Sequence, residues 1–177
     1  MKELVFAGFG GQGVLTCGLI LSDIAMGSGL NVTWSPSYGA AMRGGTANCT
    51  VKYGEGYIYN PQQEEPDLVM AMNDASFAMF APMIAPGGIC VVSDLVTCDT
   101  NIREDITIVR VPCVEIADSL GDPKAANVVM TGAVVKLLGD FTKEDALTAL
   151  RGMFAKKGKA AFAEANDKAF CAGYEAV

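Results

Sequence analysis

Histidine is absent from the 177 residues, which removes the commonest general base and every Ser-His or Cys-His nucleophile arrangement. Paired cysteines are lacking too. The six cysteines stand at positions 17, 49, 90, 98, 113 and 171, with no C-x-x-C pair among them. A zinc or iron–sulfur site gathers several thiolates, usually through short spacings, and this distribution does not provide them. Cys90, between Ile89 and Val91, typifies their apolar surroundings, so buried reduced thiols are expected. Positive charge is scarce: 13 Lys and Arg stand against 20 Asp and Glu, a net charge of −7. That sign repels nucleic-acid backbones and anionic membrane surfaces, and it disfavours docking of other acidic proteins on this chain. No apolar run reaches the roughly 18 residues of a membrane span. The opening Leu4-Val5-Phe6-Ala7 reads as a strand with no signal segment, so a cytoplasmic protein is expected.

What is abundant is apolar residues, at 51%, and glycine, at 20 positions. A chain of this length and composition builds one folded domain, spanning 1–177. Residues 4–8 form a short strand, 8–13 a glycine turn, 14–26 a helix apolar nearly all round and 31–34 a second strand. This βαβ unit points to a parallel sheet with helices packed on it. Residues 35–46 read as a loop. Residues 47–53 read as a strand that turns through Gly54-Glu55-Gly56 into Tyr57-Ile58-Tyr59 as a hairpin. Further strands are expected over 68–72, 89–92 and 106–111, with a helix over 75–83. The last third reads as three helices: 128–138, one capped by Thr142, and one carrying Phe162, Phe170 and Tyr174. The expected architecture is an α/β three-layer domain: a mostly parallel sheet flanked by helices, a β-hairpin excursion and a helical C-terminal third.

Two motifs stand out. Gly8-Phe9-Gly10-Gly11-Gln12-Gly13 satisfies G-x-G-x-x-G between a strand and a helix. Glycines there let the backbone turn sharply and approach an anion at a helix N-terminus. A dinucleotide site also needs an acid about 20 residues on, for the ribose, and none occurs between Asp23 and Glu55. NAD and FAD are thereby disfavoured, whereas a structural turn and a phosphate cradle both fit. The second motif is Ser37-Tyr38-Gly39-Ala40-Ala41-Met42-Arg43-Gly44-Gly45-Thr46. Arg43 beside two glycines either presents a guanidinium fork to a carboxylate or phosphate, or makes a surface ion pair next to a turn.

In their order and spacing, Gly8 to Val14, Pro36-Ser37-Tyr38-Gly39 and Met42-Arg43-Gly44-Gly45-Thr46-Ala47-Asn48-Cys49 resemble the gamma-subunit family of 2-oxoacid:ferredoxin oxidoreductases. Pro66-Asp67-Leu68, Ala71-Met72-Asn73, the Pro86-Gly87-Gly88 turn and the C-terminal helices extend the resemblance over nearly the whole chain. The motifs are also similar to the small subunit of indolepyruvate ferredoxin oxidoreductase, with the 2-oxoglutarate and branched-chain enzymes nearer. The resemblance implies oxidative decarboxylation of a 2-oxoacid to acyl-CoA, with ferredoxin as electron acceptor. Thiamine diphosphate, Mg and the iron–sulfur clusters would belong to alpha, beta and possibly delta partner subunits. It implies no catalytic residue and no metal site here. Gly10, Gly11, Gln12, Gly13, Ser37, Tyr38, Arg43, Gly44, Gly45 and Thr46 would face a shared site where 2-oxoacid and CoA bind. The family pattern usually carries an acid two positions before the arginine; Ala41 stands there, and Ala40 where proline is common. An ion pair made by that acid is expected to be missing. Alone, the chain is expected to be inactive and to form a homodimer. The competing readings are a stand-alone nucleotide-binding domain and a purely architectural subunit.

Overall fold

The computed structural model describes residues 1–39, 44–156, 158 and 160–177. Its centre is β1 (Lys2–Phe9), where Leu4, Val5, Phe6 and Ala7 have no solvent exposure. A strand covered on both faces reads as a continuous apolar run, which is the pattern its sequence has. The other strands are β2 (Asn31–Tyr38), β3 (Thr46–Gly54), β4 (Leu68–Ala71), β5 (Ile89–Ser93) and β6 (Thr107–Val111), in the order β2-β3-β1-β4-β5-β6. β3 runs antiparallel to β1 and β2, while β4, β5 and β6 follow β1 in parallel. Five of the six described strands therefore share one direction.

The helices divide unevenly between the two faces. On one side α1 (Val14–Gly27), α3 (Cys113–Ser119), α4 (Ala126–Leu138), α5 (Lys143–Lys156) and α6 (Ala163–Glu175) enclose the larger core around Phe6, Met70, Met130 and Phe170. On the other, α2 (Asp74–Phe80) and the 3-10 turn after it bury Phe77, Phe80 and Ile84 against Val5, Val69 and Val92. None of the described helices is long and apolar enough to cross a membrane.

Three expectations from the sequence change here. The βαβ unit exists, but β1 and β2 do not touch, because β3 lies between them. Residues 35–38, expected as loop, continue β2. Pro36 is tolerated because β2 is an edge strand. The Gly39 N–H donates to the Thr46 carbonyl at 2.9 Å, so odd-numbered residues face β3 and position 36 faces outward, where no N–H is needed. Tyr57, Ile58 and Tyr59 are not a strand, since β3 already has a partner on each edge. The hairpin is β2–β3 instead. The 55–67 connection crosses the sheet as a strap: Asn31 Nδ2 donates to the Glu55 carbonyl at 2.9 Å, and Lys52 Nζ reaches Glu64 at 2.7 Å.

Candidate ligand cleft at the glycine turn

The carboxyl end of β1 delivers the chain into the glycine turn, and α1 leaves it on the larger-core side. Gly11 and Gly13 have φ of +105° and +75°, values that L side chains rarely adopt, so the turn requires glycine at both. Gly10 is held by the hairpin tip: its N–H donates to the Gly45 carbonyl at 2.8 Å, and its carbonyl accepts from Gly44 N–H at 3.3 Å. Among the described residues, the N–H groups of Gly11, Gly13, Val14 and Leu15 donate to no protein oxygen. α1 also starts without a side-chain cap or an acid in its first turn. These free donors and the positive end of the helix dipole favour an anionic group.

Beside the turn lies an open cleft of about 410 Å³, lined by Phe9, Gly10, Gly11, Gly13, Val14, Leu15, Tyr38, Thr46 and Ala47. Tyr38 is 71% exposed, so its ring stands in the mouth. Gly10, Gly11, Gly13, Tyr38 and Thr46 thus come together as one wall. The other expected site residues lie elsewhere. Ser37 is exposed and shares the opposite sheet face with Ala7 and Asn48, because side chains alternate along a strand. Gly44 and Gly45 brace Gly10. Gln12 turns inward, its Oε1 accepting from Phe9 N–H at 2.7 Å and from Asn73 Nδ2 at 2.9 Å. Arg43 lies outside the described residues, as do Ala40 and Ala41.

Sequence reasoning missed Asn127, whose Nδ2 donates to the Gly13 carbonyl at 3.3 Å from the first turn of α4. Asn73 was missed as well. Only the fold brings these two asparagines, each over 60 positions distant, to the turn. Gly11, Gln12 and Asn127 also border a second crevice of about 380 Å³, with Met72, Leu95 and Lys124 at its rim.

The geometry is a poor match for a dinucleotide. With β3 inserted, the end of β2 stands two strand spacings, about 10 Å, from β1, so the position that normally supplies the ribose acid is displaced. Nor do the donors fit a metal cluster. Burial pushes the thiols of Cys17, Cys49, Cys90 and Cys113 up to about 12, so they stay protonated. Cys98 is exposed and Cys171 half-buried, so burial holds for four of the six. Among the described residues no three His, Cys, Asp or Glu side chains form a metal-binding group.

Comparison with known proteins agrees with this architecture. The subunit VorA of ketoisovalerate oxidoreductase from Methanothermobacter marburgensis is 38% identical over 154 residues, covering 86% of this chain and 32% of that protein. The chain thus spans about a third of that relative's length. Subunit KorC of 2-oxoglutarate synthase from Methanocaldococcus jannaschii is 31% identical over 177 residues, covering 98% and 92%. The crystal structure of a keto/oxoacid ferredoxin oxidoreductase gamma subunit from Geobacter sulfurreducens superposes with a TM-score of 0.80 at 27% identity, covering 99% and 97%. The same fold recurs, with a TM-score of 0.81 at 23% identity, in 31% of a 2-oxoglutarate:ferredoxin oxidoreductase chain from Magnetococcus marinus. Residues 3–176 match the model of one family, described as pyruvate ferredoxin/flavodoxin oxidoreductase, and the chain belongs to that family.

Proposed function

We propose that this chain is the gamma-type component of an enzyme that oxidatively decarboxylates a 2-oxoacid to acyl-CoA and passes the electrons to ferredoxin. The observation that carries the reading is the glycine turn. Among the described residues the N–H groups of Gly11, Gly13, Val14 and Leu15 are unclaimed, and they open beside an apolar cleft. Thiamine diphosphate, Mg and the iron–sulfur clusters then belong to alpha, beta and delta partners. This chain supplies a wall of the shared site, in which the free N–H groups of Gly11 and Gly13 meet an anionic group of CoA or of the 2-oxoacid. Arg43, next to this wall in sequence, supplies the guanidinium for the same anion. Isolated from its partners, the chain pairs with a second copy of itself.

The test is Gly11→Val in the assembled enzyme. Gly11 has φ +105° and a Cβ there meets nothing within 4 Å, so a valine both strains the turn that aims the N–H groups and intrudes on space a ligand would use. A rise of about tenfold or more in KM for CoA or 2-oxoacid is expected, as an obstructed anion contact costs at least 1.4 kcal/mol. Unchanged KM for both substrates would make this chain purely architectural.

A further inference from the structure

The glycine turn is fixed from outside its own segment, and the fixing runs through one buried asparagine. Asn73, 7% exposed, precedes α2, and its Oδ1 accepts from Ser76 N–H at 2.9 Å, capping that helix. With Oδ1 committed, Nδ2 faces Gln12 and donates to its Oε1 at 2.9 Å. The same Oε1 takes the Phe9 N–H at 2.7 Å, and Gln12 Nε2 donates to the Met72 carbonyl at 3.3 Å. The orientation of the Gln12 amide is therefore determined. Turned over, it would set its oxygen against the Met72 carbonyl and its NH2 against both the Phe9 N–H and the Asn73 amide. Gln12 lies between Gly11 and Gly13, so holding its side chain holds the backbone that carries both free N–H groups. The second tether, Asn127 to the Gly13 carbonyl, comes from α4 on the other face.

We propose that Asn73 is a positioning residue: through Gln12 it sets the conformation of the glycine turn, and with it the affinity of the cleft for an anionic ligand. This deepens the proposed function and rests on it. Asn73 joins the two sides of the sheet at the carboxyl ends of β1 and β4, where helices leave on opposite faces. In open α/β sheets such a point is where ligands bind. The device gives a turn poor in side chains a defined shape before the ligand arrives, so less ordering is required on binding.

Three substitutions separate the role from simple helix capping. Asn73→Asp keeps an oxygen for the Ser76 N–H but, ionised, has no proton to donate to Gln12 Oε1, and Asn73→Ser keeps the cap while replacing the amide donor by a shorter hydroxyl. Gln12→Leu removes the receiving amide and leaves Asn73 to cap α2. Amide hydrogen exchange on the full chain reads the turn at Phe9 and the cap at Ser76, and steady-state kinetics on the assembled enzyme reads the ligand. The expected result in all three variants is exchange at Phe9 about tenfold faster, with Ser76 little changed. KM for the anionic substrate should rise several-fold more than kcat falls. Unchanged exchange at Phe9 in all three would overturn the proposal and leave Asn73 a helix cap. Faster exchange with unchanged KM for both CoA and 2-oxoacid would show a pinned turn that holds no ligand, overturning the positioning role together with the cleft reading.

Discussion

At the scale of single residues, the carboxylates that hold loops to helices are the ones most at risk from acid. Asp74 accepts from the backbone N–H groups of Cys98 and Thr97 at 3.0 and 2.7 Å, which holds its pKa down at about 2. Burial pushes Asp94 up, yet the N–H groups of Val114 and Glu115 outweigh it and leave it below the ordinary value. Lys52, and beside it Asn60, lowers Glu64. Each of these groups has a folded pKa below its unfolded value of about 3.9 or 4.3, so the unfolded chain binds more protons. Their contribution is present above the unfolded pKa and is lost as pH falls through the folded one. The urea midpoint is therefore expected to fall from about pH 5 towards pH 2. Asp74→Asn should flatten the lower part of that fall; an identical acid limb in the variant would contradict the assignment. None of this was legible in the sequence, because the partners of Asp74 and Asp94 lie about 20 positions away. For the same reason α3 went unrecognised: its N-terminal N–H groups are met by a carboxylate from the far end of β5, not by a local cap.

Among elements, β1, α1, β4, β5, α4 and α5 were readable because each carries its period or cap locally, as Thr142 does by accepting Asp145 N–H at 3.1 Å. The hairpin was misplaced because strand pairing is decided by which edges are free, and a Tyr-Ile-Tyr run looks the same beside an open or a filled edge. Half of the candidate site was equally hidden. Five cleft-lining residues were identified from glycine geometry and an aromatic on a loop, yet strand alternation sends Ser37 away from them. Helix packing supplies a second example of chemistry that the sequence shows only as composition. Where α4 crosses α6, a Cβ on Gly132 would run into the Phe170 carbonyl, and one on Gly173 into the Val129 carbonyl. Glycine is required there for close approach. Gly173→Ala should force the helices apart and cost about 3 kcal/mol, like other overpacked contacts against backbone. Chemical denaturation measures this, and a loss below 0.5 kcal/mol would mean that the crossing is looser than described.

For the whole molecule, the uneven layering bears on function. Five helices build a deep core on one face of the sheet, and the other has α2 and the 55–67 strap. On that strap Tyr57 and Tyr59 stand 74% and 88% exposed, their rings edge-to-face at 4.7 Å. The strap is tied down by Lys52, whose Nζ lies 3.0 Å from Glu3 and 2.7 Å from Glu64, so its aromatic pair is presented on a fixed support. A deep core on one face and a cleft opening at one end of the sheet fit the proposed role of completing a site made with others. The most direct test is anaerobic capture of the tagged chain from its native cells, followed by mass spectrometry and cofactor analysis of what accompanies it. The account predicts recovery of subunits carrying thiamine diphosphate and iron–sulfur clusters, in fixed proportion to this chain. Recovery of the chain alone, carrying NAD or FAD, would contradict it.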